Sequence, residues 1–393
     1  MPAKQNLPLA PSVEARKLAC LLTGQLDLNV LLNGPQAEWH SLLNLALAEG
    51  MAPQLYWNFS RSGEILLLDE QSQNALRLSY FSSWSKNQCL LQEMSILAGL
   101  FEQSGIDVVV LKGACYALTL YPDIGLRMFA DLDLLVPVEK LPLAVEIAGK
   151  QGFVVAYPEA TPGLRDLLAH DVFLRKDDLV LELHHSLVAD RTFVYSVPVG
   201  WFWAQTEPFS ALSNAGSPLM LSPTAQVLYA AAHAMLQHGG YNAPMRWFYD
   251  IDRLLVVYAE RLDWNLLLAQ ARTFGWFSAL AAALFYTEAL FETSLPDDVR
   301  TALAQETDSN QSLVTLKQSR PATHTLQERQ KLLSLNVYGQ LRLFLALVLP
   351  SPAYMRWRYR LSTNLALPGA YLLRWLGILR DGLNTLISIF IRP

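Results

Sequence analysis

Asp131-Leu-Asp-Leu-Leu-Val136 is the stretch whose reading decides the fold. Side chains alternate across a strand, so Asp131 and Asp133 share one face while Leu132, Leu134 and Val136 point into a core. Two anions side by side on an apolar strand repel each other and are costly to desolvate without a counter-charge. A divalent cation supplies that charge, and hard carboxylate oxygens suit Mg²⁺. The competing reading is a pair of acids at an exposed strand end, matched by Arg127 or Lys140. Relief of the repulsion predicts that Asn at either aspartate leaves stability equal or higher.

Upstream, Ile106-Asp-Val-Val-Val-Leu-Lys112 is a β-branched run bounded by glycines, which reads as a buried strand, with a short helix over Ala114–Tyr121 after Gly113. A glycine at a strand-to-helix turn lets backbone N–H groups approach phosphate, and Lys112 adds positive charge. A plain tight turn with a lysine at the strand end fits equally well. Downstream, Glu139–Gln151 reads as a helix, and Asp171–Lys176 with Leu179–His185 as a hairpin turned by Asp177-Asp178. Its second strand sets Leu179, Leu181 and Leu183 on one face, and Glu182 and His184 on the other. Were that strand to lie beside the Asp131 strand, three carboxylates would converge and could hold two cations. His184 competes with Glu182 for the role of base.

Strands are expected only within about 106–188. Helical patterns fill 13–100, including Ala37–Gly50 and Asn74–Phe101, and resume at Ser222. The expectation is an α+β protein whose small mixed sheet lies between helical flanks. The domain reading is 1–101 helical, 102–200 the α/β core, 201–330 helical and 331–393 a basic apolar tail.

Hydrophobic residues make up 52% of the 393 and charged residues 17%, which excludes a disordered chain. The net charge of −5 argues against sequence-specific nucleic-acid binding. That charge is uneven. Residues 337–393 carry seven Arg and one acid (+6), whereas the preceding chain has 23 basic and 34 acidic residues (−11). Leu341–Leu349 and Tyr371–Arg380 are apolar segments interrupted by Arg, too short to span a bilayer. They either pack on the acidic body or lie on an anionic membrane. Cys20, Cys89 and Cys115 are scattered without a CxxC spacing, and the N-terminus shows no signal-peptide pattern, so a cytoplasmic protein is expected, with membrane association through the tail as the alternative.

His233, His238, Arg246 and Asp250 suggest either accessory cleft residues or a metal-dependent hydrolase site. On an α-helix the two histidines stand about 140° apart, too far round to share an ion. Arg246 and Asp250, at i and i+4, are spaced to pair with each other.

Taken together, Leu111-Lys-Gly113, Tyr121-Pro122, Arg127, Asp131–Val136 and Leu181-Glu-Leu-His184 resemble a bacterial family of uncharacterised nucleotidyltransferases within the polymerase-β-type superfamily. Glu38-Trp39, Gly50–Tyr56, Ala232–His238 and Met245–Asp250 extend the resemblance. It implies a core in which Asp131 and Asp133 bind Mg²⁺ (or Mn²⁺) and Glu182 acts as third ligand or base. Lys112 and Gly113 would meet the phosphates of an NTP substrate, Arg127 would neutralise phosphate or lock the Asp131–Asp133 strand, and the nucleotidyl group would pass to a hydroxyl acceptor. Ala114 stands where the superfamily usually has Ser. A nucleotide-binding module without turnover, or a peripheral membrane scaffold, are the alternatives.

Overall fold

The computed structural model describes residues 10–158, 160, 170–187, 198–212, 216–238, 240–307 and 337–391. Five helices come first: α1 (Val13–Leu22), α2 (Leu28–Leu32), α3 (Gln36–Glu49), α4 (Ala52–Ser62) and α5 (Glu70–Gln103). Gly50 ends α3 at φ 72, the left-handed cap that glycine adopts without a Cβ penalty. The 34 residues of α5 make a rod roughly 50 Å long, started by the Asp69 side chain accepting from the Ser72 backbone N at 2.9 Å.

The strands follow: β1 (Val109–Val110), β2 (Asp131–Leu135), β3 (Val154–Val155), β4 (Asp171–Lys176), β5 (Leu179–His184), β6 (Thr206–Pro208) and β7 (Leu219–Leu221). Among the described residues they form one mixed sheet, in the order β3-β4-β5-β2-β1-β7-β6. The protein is thus α+β, as its pattern predicts. One expectation fails. Strands do not stop near 188, because β6 and β7 extend the sheet beyond β1, which pairs in parallel with β7. Three-residue strands in a Pro- and Ser-rich stretch carry too few alternations to stand out. The expected strand at 106–112 shrinks to two residues, since α6 (Lys112–Thr119) begins two residues earlier than the glycine suggested.

Helices α7 (Leu141–Lys150) and α8 (Val199–Ala204) lie between strands. After the sheet come α9 (Pro223–Ala232), α10 (Met245–Val257), α11 (Trp264–Thr273), α12 (Phe277–Phe291) and α13 (Asp297–Thr307). Buried apolar side chains from Leu18 to Leu303 make one continuous core, with Trp39, Phe101, Phe202 and Phe248 among its largest members. The C-terminal segment folds as α14 (Val337–Val348), α15 (Pro352–Tyr359) and α16 (Leu367–Ile391). The boundary expected at 330/331 lies outside the described residues. Among those residues, no helix is long and apolar enough to cross a membrane.

Candidate active site

Strand β2 pairs in parallel with β5, and the register sets Asp133 directly opposite Glu182. Leu132, Leu134, Leu181 and Leu183 are buried, which turns Asp131, Asp133, Glu182 and His184 to the other face. That face is crowded with charge. The Lys112 ammonium donates to Asp133 Oδ1 at 2.9 Å, and His184 Nε2 donates to the same oxygen at 2.8 Å. His184 Nε2 also lies 3.4 Å from Glu182 Oε2. Asp131 makes no hydrogen bond or ion pair among the described residues.

The electrostatics follow from these contacts. Burial alone would raise Asp133, but Lys112 and His184 outweigh it and hold the carboxyl far below its ordinary value. Burial would lower His184, yet its bonds to Asp133 and Glu182 push it up to about 9, so it is protonated near neutrality. Burial would likewise lower Lys112, and Asp133 reverses this. Asp131 moves the other way: burial, then the Asp133 and Glu182 charges, raise it to about 6. Three carboxylates face two cations, which leaves a surplus of negative charge in a half-buried site.

Within that face, Asp133, Glu182 and His184 each offer a donor atom, and the three atoms lie within 4.8 Å of one another. This set differs from the acidic triad expected from the sequence, with His184 in place of Asp131. His184 Nε2 is bound to Asp133 Oδ1 and so orients that carboxylate, while Asp131 is the acid left without a partner among the described residues. The residues present therefore fit a divalent cation, through the uncompensated charge at Asp131 and the close approach of Glu182 and Asp133. His170 sits against His184 with ring centroids 5.0 Å apart, and burial holds it down at about 2, hence neutral.

The turn from β1 into α6 is shaped by strain and close packing. Lys112 has φ 38, a left-handed conformation that costs a non-glycine residue about 1–3 kcal/mol. The residue after it is the glycine, and a Cβ there would come 2.5 Å from Phe129 Cβ. Gly113 is thus required by the approach of Phe129, whatever else its backbone does. Gly113→Ala is expected to cost about 1–3 kcal/mol through overpacking, visible as a lower denaturation midpoint without any nucleotide present. An unchanged midpoint would show that Phe129 gives way freely.

Of the two roles expected of Arg127, its contacts match the locking of the strand segment before β2. Arg127 is buried, and its Nε and Nη2 grip Asp250 of α10 at 2.7 and 2.6 Å, with Tyr121 Oη donating to Asp250 at 2.7 Å. Gln54 donates to Leu126 O at 2.6 Å, and Asn87 donates to Ile124 O and Arg127 O at 2.6 and 2.8 Å. These bonds fasten the segment that leads into β2 to α4, α5 and α10. The i,i+4 pairing expected between Arg246 and Asp250 does not form, because Arg127 takes the carboxylate in a bidentate grip. Arg246 instead lies over Trp247 and makes no ion pair among the described residues. Asp250→Asn is expected to cost about 3–5 kcal/mol, since it leaves a buried guanidinium unpaired. The Arg127→Met/Asp250→Leu double variant should recover most of that loss in chemical denaturation, and additive losses would refute the pairing argument.

The geometric objection to His233 and His238 also falls. Residues His233–Gln237 form a π turn at the end of α9, and in such a turn residues five apart stand over one another. The two rings lie 4.4 Å apart and enclose Trp247, at 4.6 and 4.9 Å. Burial keeps His233 far below its ordinary value, hence neutral. With Lys112, Tyr116, Arg127, Trp247 and Asp250 it lines a cavity of about 30 Å³, room for about one water. These accessory residues thus form a neighbouring wall that meets the acidic face at Lys112. A larger cavity of about 710 Å³ lies among Leu21–Leu28 and Trp57–Glu64 and includes none of the site residues.

A family model described as an uncharacterised nucleotidyltransferase matches residues 35–292. No curated protein matches. Among solved structures, the chain is similar to the crystal structure of an antigenic nucleotidyltransferase-like protein from Paracoccidioides brasiliensis. The two are 15% identical, with a TM-score of 0.27, over 50% of this chain and 92% of that one.

Proposed function

Because this chain belongs to the family of uncharacterised nucleotidyltransferases, we propose that it transfers a nucleoside monophosphate from an NTP to a hydroxyl acceptor, with Mg²⁺ or Mn²⁺ as the cofactor. The observation that carries this reading is the parallel register of β2 and β5. It sets Glu182 against Asp133 and leaves Asp131 on the same face, unpartnered among the described residues. Asp131, Asp133 and Glu182 would hold the divalent cations. Such ions, when bound, neutralise charge on the transferring phosphate and make a hydroxyl easier to deprotonate. Lys112 and His184 fix the Asp133 carboxylate through their hydrogen bonds. Glu182 is the more exposed of the two paired acids and is the residue to take the acceptor's proton. The backbone N–H groups of Gly113 and Ala114, in the first turn of α6, have no partner in the helix's own ladder and would meet the triphosphate. Arg246, with no ion pair among the described residues, is the side-chain cation free to join them.

A second reading keeps the nucleotide but not the turnover. Lys112 and His184 already neutralise Asp133 from within the protein, which a pure binding module would need and a metal enzyme would have to work around. Incubation with each NTP labelled at the α-phosphate, in Mg²⁺, separates the two. Pyrophosphate release together with label on an acceptor supports transfer. NTP binding with no pyrophosphate across candidate acceptors supports the module.

A further inference from the structure

We propose that the helical hairpin of α14 and α16 lies flat in the interface of an anionic lipid bilayer, a surface separate from the nucleotide site and independent of its chemistry. Helix α14 buries Gly339, Leu343 and Ala346 along one stripe. It turns Leu341, Phe344 and Leu345 outward, with exposures of 55%, 56% and 42%. On α16, Leu372, Leu376 and Leu379 are 56%, 54% and 69% exposed. Scattered surface leucines need no explanation, but two helices that both present several large apolar side chains to water are of the kind that contacts a partner or a membrane.

The hairpin closes itself by other means. Arg374 Nε donates to Leu347 O at 2.7 Å, Trp375 Nε1 donates to Val348 O at 2.6 Å, and the Tyr371 hydroxyl donates to Pro350 O. The last carbonyls of α14 are thus satisfied by side chains of α16, and the outward leucines are not needed for that joint. Helix α15 ties the hairpin to the edge of the sheet. Ser351 N donates to Ala160 O at 2.6 Å, and the rings of Trp357 and Tyr157 lie 5.3 Å apart.

Charge decides the occupant. Residues 337–393 hold seven arginines against Asp381 alone. A second copy seated on this face would bring two strongly basic segments together, whereas an anionic lipid surface would neutralise them. Arginine and tryptophan flanking an apolar stripe is the pattern of a helix that rests at the headgroup boundary. No described helix is fit to span, so the 25 residues of α16 would lie along the surface over roughly 37 Å.

The test is co-sedimentation of the full chain with vesicles of phosphatidylcholine alone and of phosphatidylcholine with phosphatidylglycerol. The chain is expected to bind the anionic vesicles about tenfold or more tightly than the neutral ones and to be released by salt. Arg358→Glu/Arg360→Glu should weaken binding by roughly fivefold or more per arginine replaced. Leu372→Glu/Leu376→Glu replaces exposed residues, so folding should be retained while vesicle binding falls by about tenfold or more. Equal binding to both vesicle types, or unchanged binding by the leucine variant, would overturn the proposal. So would light scattering that finds a dimer in the wild type and a monomer in the leucine variant, which would assign the face to a second copy.

Discussion

Glu182→Gln is expected to reduce pyrophosphate release by about 10²–10⁴-fold, the usual cost of removing a general base. The amide keeps the shape of the carboxyl but carries no charge and accepts no proton. Glu182 lies opposite Asp133 in the β2–β5 register, and its Oε2 is 3.4 Å from His184. The Lys112–Asp133 and His184–Asp133 bonds do not depend on it, so the fold should survive and NTP binding should largely persist. His184→Ala belongs beside it. With its Nε2 bound to Asp133 and the ring charged near neutrality, His184 is poorly placed to accept a proton. Its loss should act chiefly through the orientation of Asp133, shifting binding and turnover together. Near-normal turnover in Glu182→Gln would remove Glu182 from the reaction.

Asp131→Asn and Asp133→Asn should have opposite effects on stability, although the sequence suggests the same effect for both. Asp133→Asn strips the counter-charge from the buried Lys112 and the charged His184 and is expected to cost about 3–5 kcal/mol. Asp131→Asn removes a carboxyl whose burial and repulsion from Asp133 and Glu182 outweigh its attraction to Lys112 and His184, so it should leave stability equal or higher, by on the order of 1–2 kcal/mol at neutral pH. The pH dependence has a definite sign. Folded Asp131 keeps its proton up to about pH 6, while the unfolded residue ionises near 3.8. The folded state therefore binds the extra proton in that window, and wild-type stability falls as pH rises through it. Asp131→Asn should lack that fall. Denaturation curves at several pH values check both claims, and a destabilised Asp131→Asn or a stabilised Asp133→Asn would contradict them.

The acidic face was legible because alternation in Asp131–Val136 and Leu179–His184 is strict, and leucines mark the core side of each strand. What could not be read was where long-range partners would go. Arg246 and Asp250 have the right spacing to pair, yet Asp250 is taken by Arg127, 123 residues away, because that guanidinium is buried beside it. The positive φ at Lys112, whose ammonium reaches Asp133 while Gly113 admits Phe129, has no signal in a lysine. The His233–His238 contact depends on a π turn, which has no signature in residue type and defeats an angle computed for an α-helix. Strands β6 and β7 are three residues each and are held in the sheet by β1 rather than by any pattern of their own.

The central claim is that the β2–β5 face is a cation-dependent nucleotide site. It is tested most directly by calorimetric titration of each NTP into the full chain, in Mg²⁺ and in EDTA, for the wild type and Asp131→Asn. The expected result is binding of at least one NTP that requires Mg²⁺ and weakens by about tenfold or more in Asp131→Asn, a variant at least as stable as the wild type. Equal affinity in Mg²⁺ and EDTA, or wild-type affinity in Asp131→Asn, would contradict it.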